Sequence, residues 1–128
     1  MMMLFDRGNR SADNLYLDAR KRWTRVVSLS IHDSEDMLHS VERLLQKARR
    51  QNSRHVPSLV LLSDVLMALG STQNAMEIVD SLIAIEPGND THVQKKALLE
   101  RLQVTANYDN REAIWEFIEA RWTQTSDW

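Results

Sequence analysis

Apolar residues recur along this chain at steps of three and four, in sets separated only by short polar links. That is the period of the α-helix, in which positions i, i+3, i+4 and i+7 share a face. The first set is Leu15, Ala19, Trp23, Val26 and Val27, on a helix predicted from about Ser11 to Leu29. Met37, Leu38, Val41, Leu44, Leu45 and Ala48 form the second. Asp33 or Ser34 is placed to cap its start, and Lys47, Arg49 and Arg50 bring positive charge to its carbonyl end. Pro57 opens a third helix, where its missing N–H is harmless, and Leu59, Leu62, Val65, Leu66 and Leu69 follow on one face. Gly70-Ser71-Thr72 separates it from a fourth, carrying Ala75, Met76, Ile78, Val79, Leu82 and Ile83 and ending at Glu86-Pro87-Gly88-Asn89. Thr91 with Gln94, and Asp109 with Glu112, read as capping boxes for two more. The fifth carries Val93, Ala97, Leu98, Leu99 and Leu102, and the sixth Ala113, Ile114, Phe117, Ile118 and Trp122. Six helices on short links predict an all-α fold with antiparallel neighbours.

The breakers agree, with 3 Gly and 2 Pro in 128 residues, too few for the many tight turns of a strand-rich fold. That length suits one domain, expected over residues 11–124. Residues 1–10, with Gly8 and Asn9, are expected to be a flexible N-terminus, and residues 125–128 a C-terminal tail. There is no cysteine, which excludes disulfides, thiolate metal sites and a Cys nucleophile and fits a reducing compartment. The opening Met1–Phe5 is too short an apolar stretch for a signal peptide, and no run of ~20 apolar residues suggests a membrane span. A cytoplasmic location is expected.

Residues 56–89 carry the most specific pattern. Leu59, Leu62, Ser63 and Leu66 precede the Gly70 turn, and Ala75, Val79, Leu82 and Pro87 follow it. This segment resembles a tetratricopeptide repeat, a helix–turn–helix unit of about 34 residues. Leu62, Ala75 and Pro87 match the family outright, and Ser63 is suitably small. Leu59, Leu66 and Val79 keep apolar character without the family's aromatic rings, and Leu82 stands where a small residue is usual. Ala113, Phe117 and Ala120 echo the second helix of a repeat, 38 residues on from Ala75. The preceding helix fits poorly, because Lys96, Glu100 and Arg101 fall near core positions.

The resemblance implies helix pairs stacked as a short right-handed superhelix, and a protein-binding module of the adaptor or chaperone kind rather than an enzyme. First-helix residues off the apolar stripe, Ser58, Ser63 and Asp64, are then the ones expected to face a groove that holds a partner peptide or protein. Some family members clamp a carboxylate with Lys and Asn, but Val60 and Asp64 stand at the comparable places, so that function is not carried over.

Catalytic signatures are missing: there is no Gly-rich phosphate loop and no Gly-x-Ser-x-Gly elbow. Glu35 and Asp36 lie within a turn of His39, but two ligands without a third make no recognisable metal site. No cofactor is expected. Trp115, Ile118 and Trp122 share a face of the last helix. Trp115 is read chiefly as core, and Trp122 chiefly as a dimer or docking contact. Charge is split, at +4 over residues 1–54 and −6 over residues 55–128. Two alternatives follow. One is a self-assembling structural subunit, with opposite ends attracting. The other is a nucleic-acid-binding protein using Arg20, Lys21, Arg22 and Arg25 around Trp23 as a stacking platform. The net charge of −2 disfavours the second.

Overall fold

The computed structural model describes residues 2–29, 34–104 and 110–123. Six α-helices run in order: α1 (Met2–Ser28), α2 (Glu35–Gln51), α3 (Val56–Ala68), α4 (Thr72–Ile85), α5 (Asp90–Val104) and α6 (Asn110–Thr123). Among the described residues there is no strand. The backbone divides into two compact units, Met1–Leu62 and Ser63–Trp128.

In the first unit α1 packs along α2. Ala12, Ala19, Trp23, Val26 and Val27 of α1 are buried in a helical stripe, as are Leu38, Val41, Leu45 and Ala48 of α2. Leu15 is only half-buried. The helix starts at Met2, well before the expected Ser11, and runs through Gly8 and Asn9. One interior glycine costs a helix about 1 kcal/mol, too little to break a 27-residue element. Ser34 is the N-cap of α2 but makes no side-chain capping bond; Glu35 and Asp36 in the first turn and Arg49 and Arg50 in the last complement the helix dipole. Asp33 lies outside the described residues.

Helix α3 buries most of its side chains. Besides the predicted Leu59, Leu62, Val65 and Leu66, it buries Leu61, Met67, Ser58, Ser63 and Asp64. A helix with so little polar surface cannot be read as a single apolar stripe. It ends in a Schellman turn: Gly70 has φ +83°, its N–H donates to the Met67 carbonyl (3.0 Å), and the Ser71 N–H donates to the Leu66 carbonyl (2.9 Å).

In the second unit α4 packs against α5. Ala75, Ile78, Val79 and Leu82 of the predicted stripe form the buried face of α4, while Met76 and Ile83 are half-buried. Helix α5 departs from the prediction. Its buried face is His92, Lys95, Leu98, Leu99 and Leu102, whereas Val93 is half exposed and Ala97 exposed. The cap also differs: Asn89 Oδ1 accepts the Thr91 N–H at 2.9 Å, so Asn89 does the work expected of Thr91 with Gln94. Asp109, the proposed cap of α6, lies outside the described residues. Helix α6 buries Ile114, Trp115, Ile118 and Trp122, while Phe117 is half-buried and Ala120 exposed.

Candidate functional site

Three polar clusters sit among the helices, and two of them are built on residues that hydrophobic periodicity passes over. The most enclosed lies in the second unit. Lys95 projects from the buried face of α5, and its Nζ lies 2.9 Å from Asp64 Oδ1 and donates to Ser63 Oγ at 2.8 Å. From α6, Trp122 Nε1 donates to Asp64 Oδ2 at 2.9 Å. Three helices therefore meet on one carboxylate. Ser63, Asp64 and Lys95 are all 0 % exposed.

A charge removed from water in this way is tolerable only when paired and hydrogen-bonded. Burial pushes the Lys95 ammonium down to about 7. Asp64 is the opposing charge in direct contact: the ammonium lies beside Oδ1 as an ion pair, and the indole donates to Oδ2.

The second cluster staples the turn between α4 and α5. His92 Nε2 donates to Glu86 Oε1 at 2.8 Å, and Asn89 Nδ2 donates to the same oxygen at 3.3 Å. The bond from His92, followed by that from Asn89 and the charge of His92, holds the Glu86 carboxyl below its usual range against a smaller opposing effect of burial. Half-exposed Lys96 pairs with Asp80 across α4 and α5 at 2.9 Å, and Asp80 raises its pKa.

The third cluster is in the first unit. His55 Nε2 donates to Asp13 Oδ1 at 2.5 Å, Ser58 Oγ donates to His55 Nδ1 at 2.6 Å, and Tyr16 meets the imidazole edge-on. These are the residue types of a hydrolytic triad, but the arrangement is inverted. Ser58 is 1 % exposed, while the Asp13 side chain is 61 % exposed. A nucleophile must meet its substrate, so this geometry ties α1 to the start of α3 and does not present a reactive hydroxyl.

The sequence-predicted site residues redistribute accordingly. Ser58, Ser63 and Asp64, expected on an accessible groove face, are buried. The physical reason is that each finds a hydrogen-bonding partner inside, Ser58 in His55, Ser63 in Lys95 and Asp64 in Trp122. Trp122, read chiefly as an outward contact, is 7 % exposed and bonded inward, and Trp115 is 5 % exposed. Arg22 is half exposed; it donates to Ser40 of α2 and lies 3.7 Å from Asp18, and Arg25 is exposed. Trp23 is 0 % exposed and offers no stacking platform. His39 meets Glu42 at 3.2 Å rather than Asp36. Among the described residues no group of three His, Asp or Glu side chains gathers as metal ligands would.

Lys95, His92, Glu86 and Asn89 were missed. The signal for two of them was present, since positions 92, 95, 99 and 102 keep helical spacing once a His and a Lys are admitted to the apolar face. Comparison with protein-family models, with curated proteins and with solved structures finds no match to this chain.

Proposed function

We propose that this chain is a tetratricopeptide-like adaptor that holds a partner peptide or protein. The observation that carries the proposal is the construction of residues 56–89. Helix α3, a left-handed Gly70 turn, helix α4 and Pro87 just beyond its end follow in the order of one repeat. The small residues Ser63 and Ala75, which the repeat pattern places on inner faces, are both 0 % exposed. Modules of this type stack helix pairs and use the surface so made for binding. The test is affinity purification of the intact protein at low salt with chemical cross-linking. A stoichiometric protein partner is expected. Elution of the chain by itself from every extract of its own source would overturn the proposal.

One observation favours a second reading. The charge split, +4 against −6, suits contact between copies through unlike ends. Self-assembly of this kind weakens with added salt, so sedimentation at two salt concentrations separates it from a monomeric adaptor.

A further inference from the structure

The charge split follows the two compact units. Residues 1–62 carry 11 Lys and Arg against 7 Asp and Glu, and residues 63–128 carry 5 against 11. Several of these charges are engaged inside their own unit. Asp18 lies beside Arg22 and Glu42 beside His39 in the first, and Asp64 beside Lys95, Asp80 beside Lys96 and Glu86 beside His92 in the second. Two rows are left over. On α2, Arg43, Lys47 and Arg50 are exposed, and no acidic residue occurs from Arg43 to Leu62. On α6, Glu112 and Glu116 are exposed and Glu119 is half-buried. Among the described residues no ion pair involves Arg43, Lys47, Arg50, Glu112 or Glu116.

The two rows have the same spacing. Each occupies positions i, i+4 and i+7, which share one face of a helix. At a rise of about 1.5 Å per residue, the steps along either helix are about 6 Å and about 4.5 Å. Side by side and parallel, such helices bring Arg43 opposite Glu112, Lys47 opposite Glu116 and Arg50 opposite Glu119. Antiparallel, the central pair still meets and the outer pairs are offset by one residue, about 1.5 Å. Arg111 and Arg121 of α6 do not share the spacing of the acidic row. Within each helix the like charges repel at i, i+4, so each row gains when an opposite row lies beside it.

We propose that the Arg43, Lys47 and Arg50 row of α2 docks the Glu112, Glu116 and Glu119 row of a second copy of this chain. The proposal rests on the self-assembly reading above and names its two faces. Charge complementarity at matched spacing selects the occupant. A polyanion such as nucleic acid would meet the same basic row, but the acidic second unit of the same chain repels it. Exposed ion pairs contribute little each, so the contact is weak, screened by salt and sensitive to the sign of every charge in it.

The experiment is sedimentation equilibrium of the full-length chain at low salt, on wild type, Lys47→Glu, Glu116→Lys and the double variant. Both positions are exposed, so the changes leave the fold in place. Each single change replaces an attraction by a repulsion and is expected to weaken self-association roughly 2- to 30-fold. The double variant keeps the net charge of −2 and remakes the pair with its signs reversed. It should return to within about twofold of wild type. Lys21→Glu, exposed on α1, changes the net charge as Lys47→Glu does but lies off the row, and should leave association unchanged. Should either central variant fail to fold, Arg43→Glu with Glu112→Lys gives a second cycle. Failure of the double variant to recover overturns the proposal, and so does an equal loss with Lys21→Glu. In both cases salt-sensitive association of the wild type leaves the self-assembly reading standing. A wild-type chain that is monomeric at every concentration overturns both. One that is monomeric and binds duplex DNA through Lys47 also overturns both, and gives the basic row to a polyanion.

Discussion

Gly70 is held at φ +83°, where a Cβ added to it would meet nothing within 4 Å. The cost of a side chain there is therefore backbone strain rather than collision. Gly70→Ala should lower stability by about 1 kcal/mol, seen as a lower urea midpoint at unchanged slope. Gly70→Asn should cost less, because Asn tolerates the left-handed region. Glu86 sets a second residue-scale expectation. Its folded carboxyl is more acidic than the unfolded one, so its contribution is complete above about pH 4.5 and is lost as pH falls through the lower folded value. The urea midpoints of wild type and Glu86→Gln should differ at pH 6 and converge on acidification; a constant gap would count against the His92 contact as its source. At this scale the sequence was a partial guide. Gly70 was legible as a stop because left-handed geometry favours glycine. The cap of α5 was misassigned because Asn89, Asp90 and Thr91 are all capping residues, and only the position of the Asn89 side chain distinguishes them.

Helix α5 shows what an element-level reading can miss. Choosing only apolar residues for its inner face selected Val93 and Ala97, which face outward, and made Lys96, Glu100 and Arg101 look misplaced. With Lys95 inward, Glu100 and Arg101 are exposed and Lys96 pairs with Asp80. The energetic consequence is testable. Lys95→Met leaves Asp64 buried without its counter-charge and should cost about 3–5 kcal/mol in denaturant unfolding. Replacing both partners, Asp64→Leu with Lys95→Met, should recover most of that. What remains is the Trp122 N–H without its acceptor, about 1–3 kcal/mol. Val93→Ala, half exposed, should change stability by no more than ~0.5 kcal/mol. A larger loss at Val93 would mean that the outer face of α5 is covered in solution.

Across the whole molecule, the charge split is a property of sequence, and its meaning depends on where the aromatic groups lie. Trp23 stands among Arg20, Lys21, Arg22 and Arg25 in the sequence but is fully buried, and Arg22 is engaged with Ser40 and Asp18. Base stacking on that ring is not available, so the intact protein should bind single-stranded DNA or RNA at low salt no more tightly than a duplex. Tighter binding of the single strand would reopen the basic half as a nucleic-acid surface. Among the described residues no helix is long and apolar enough to cross a membrane. The sequence by itself determined the helical class, the number of helices, the turn at Gly70 and the inner faces of α2 and α4, because each follows from local periodicity and backbone preference. Tertiary structure alone decided the fate of Ser63, Asp64, Lys95 and Trp122. Whether a polar side chain on a helix meets water or a partner depends on which helices lie beside it, and Asp64 and Trp122, which bond to each other, are 58 positions apart along the chain. The pattern in residues 56–89 thus located two helices and their turn, and the fold buried two of the expected groove residues, Ser63 against Lys95 of α5 and Asp64 against Lys95 and Trp122 of α6.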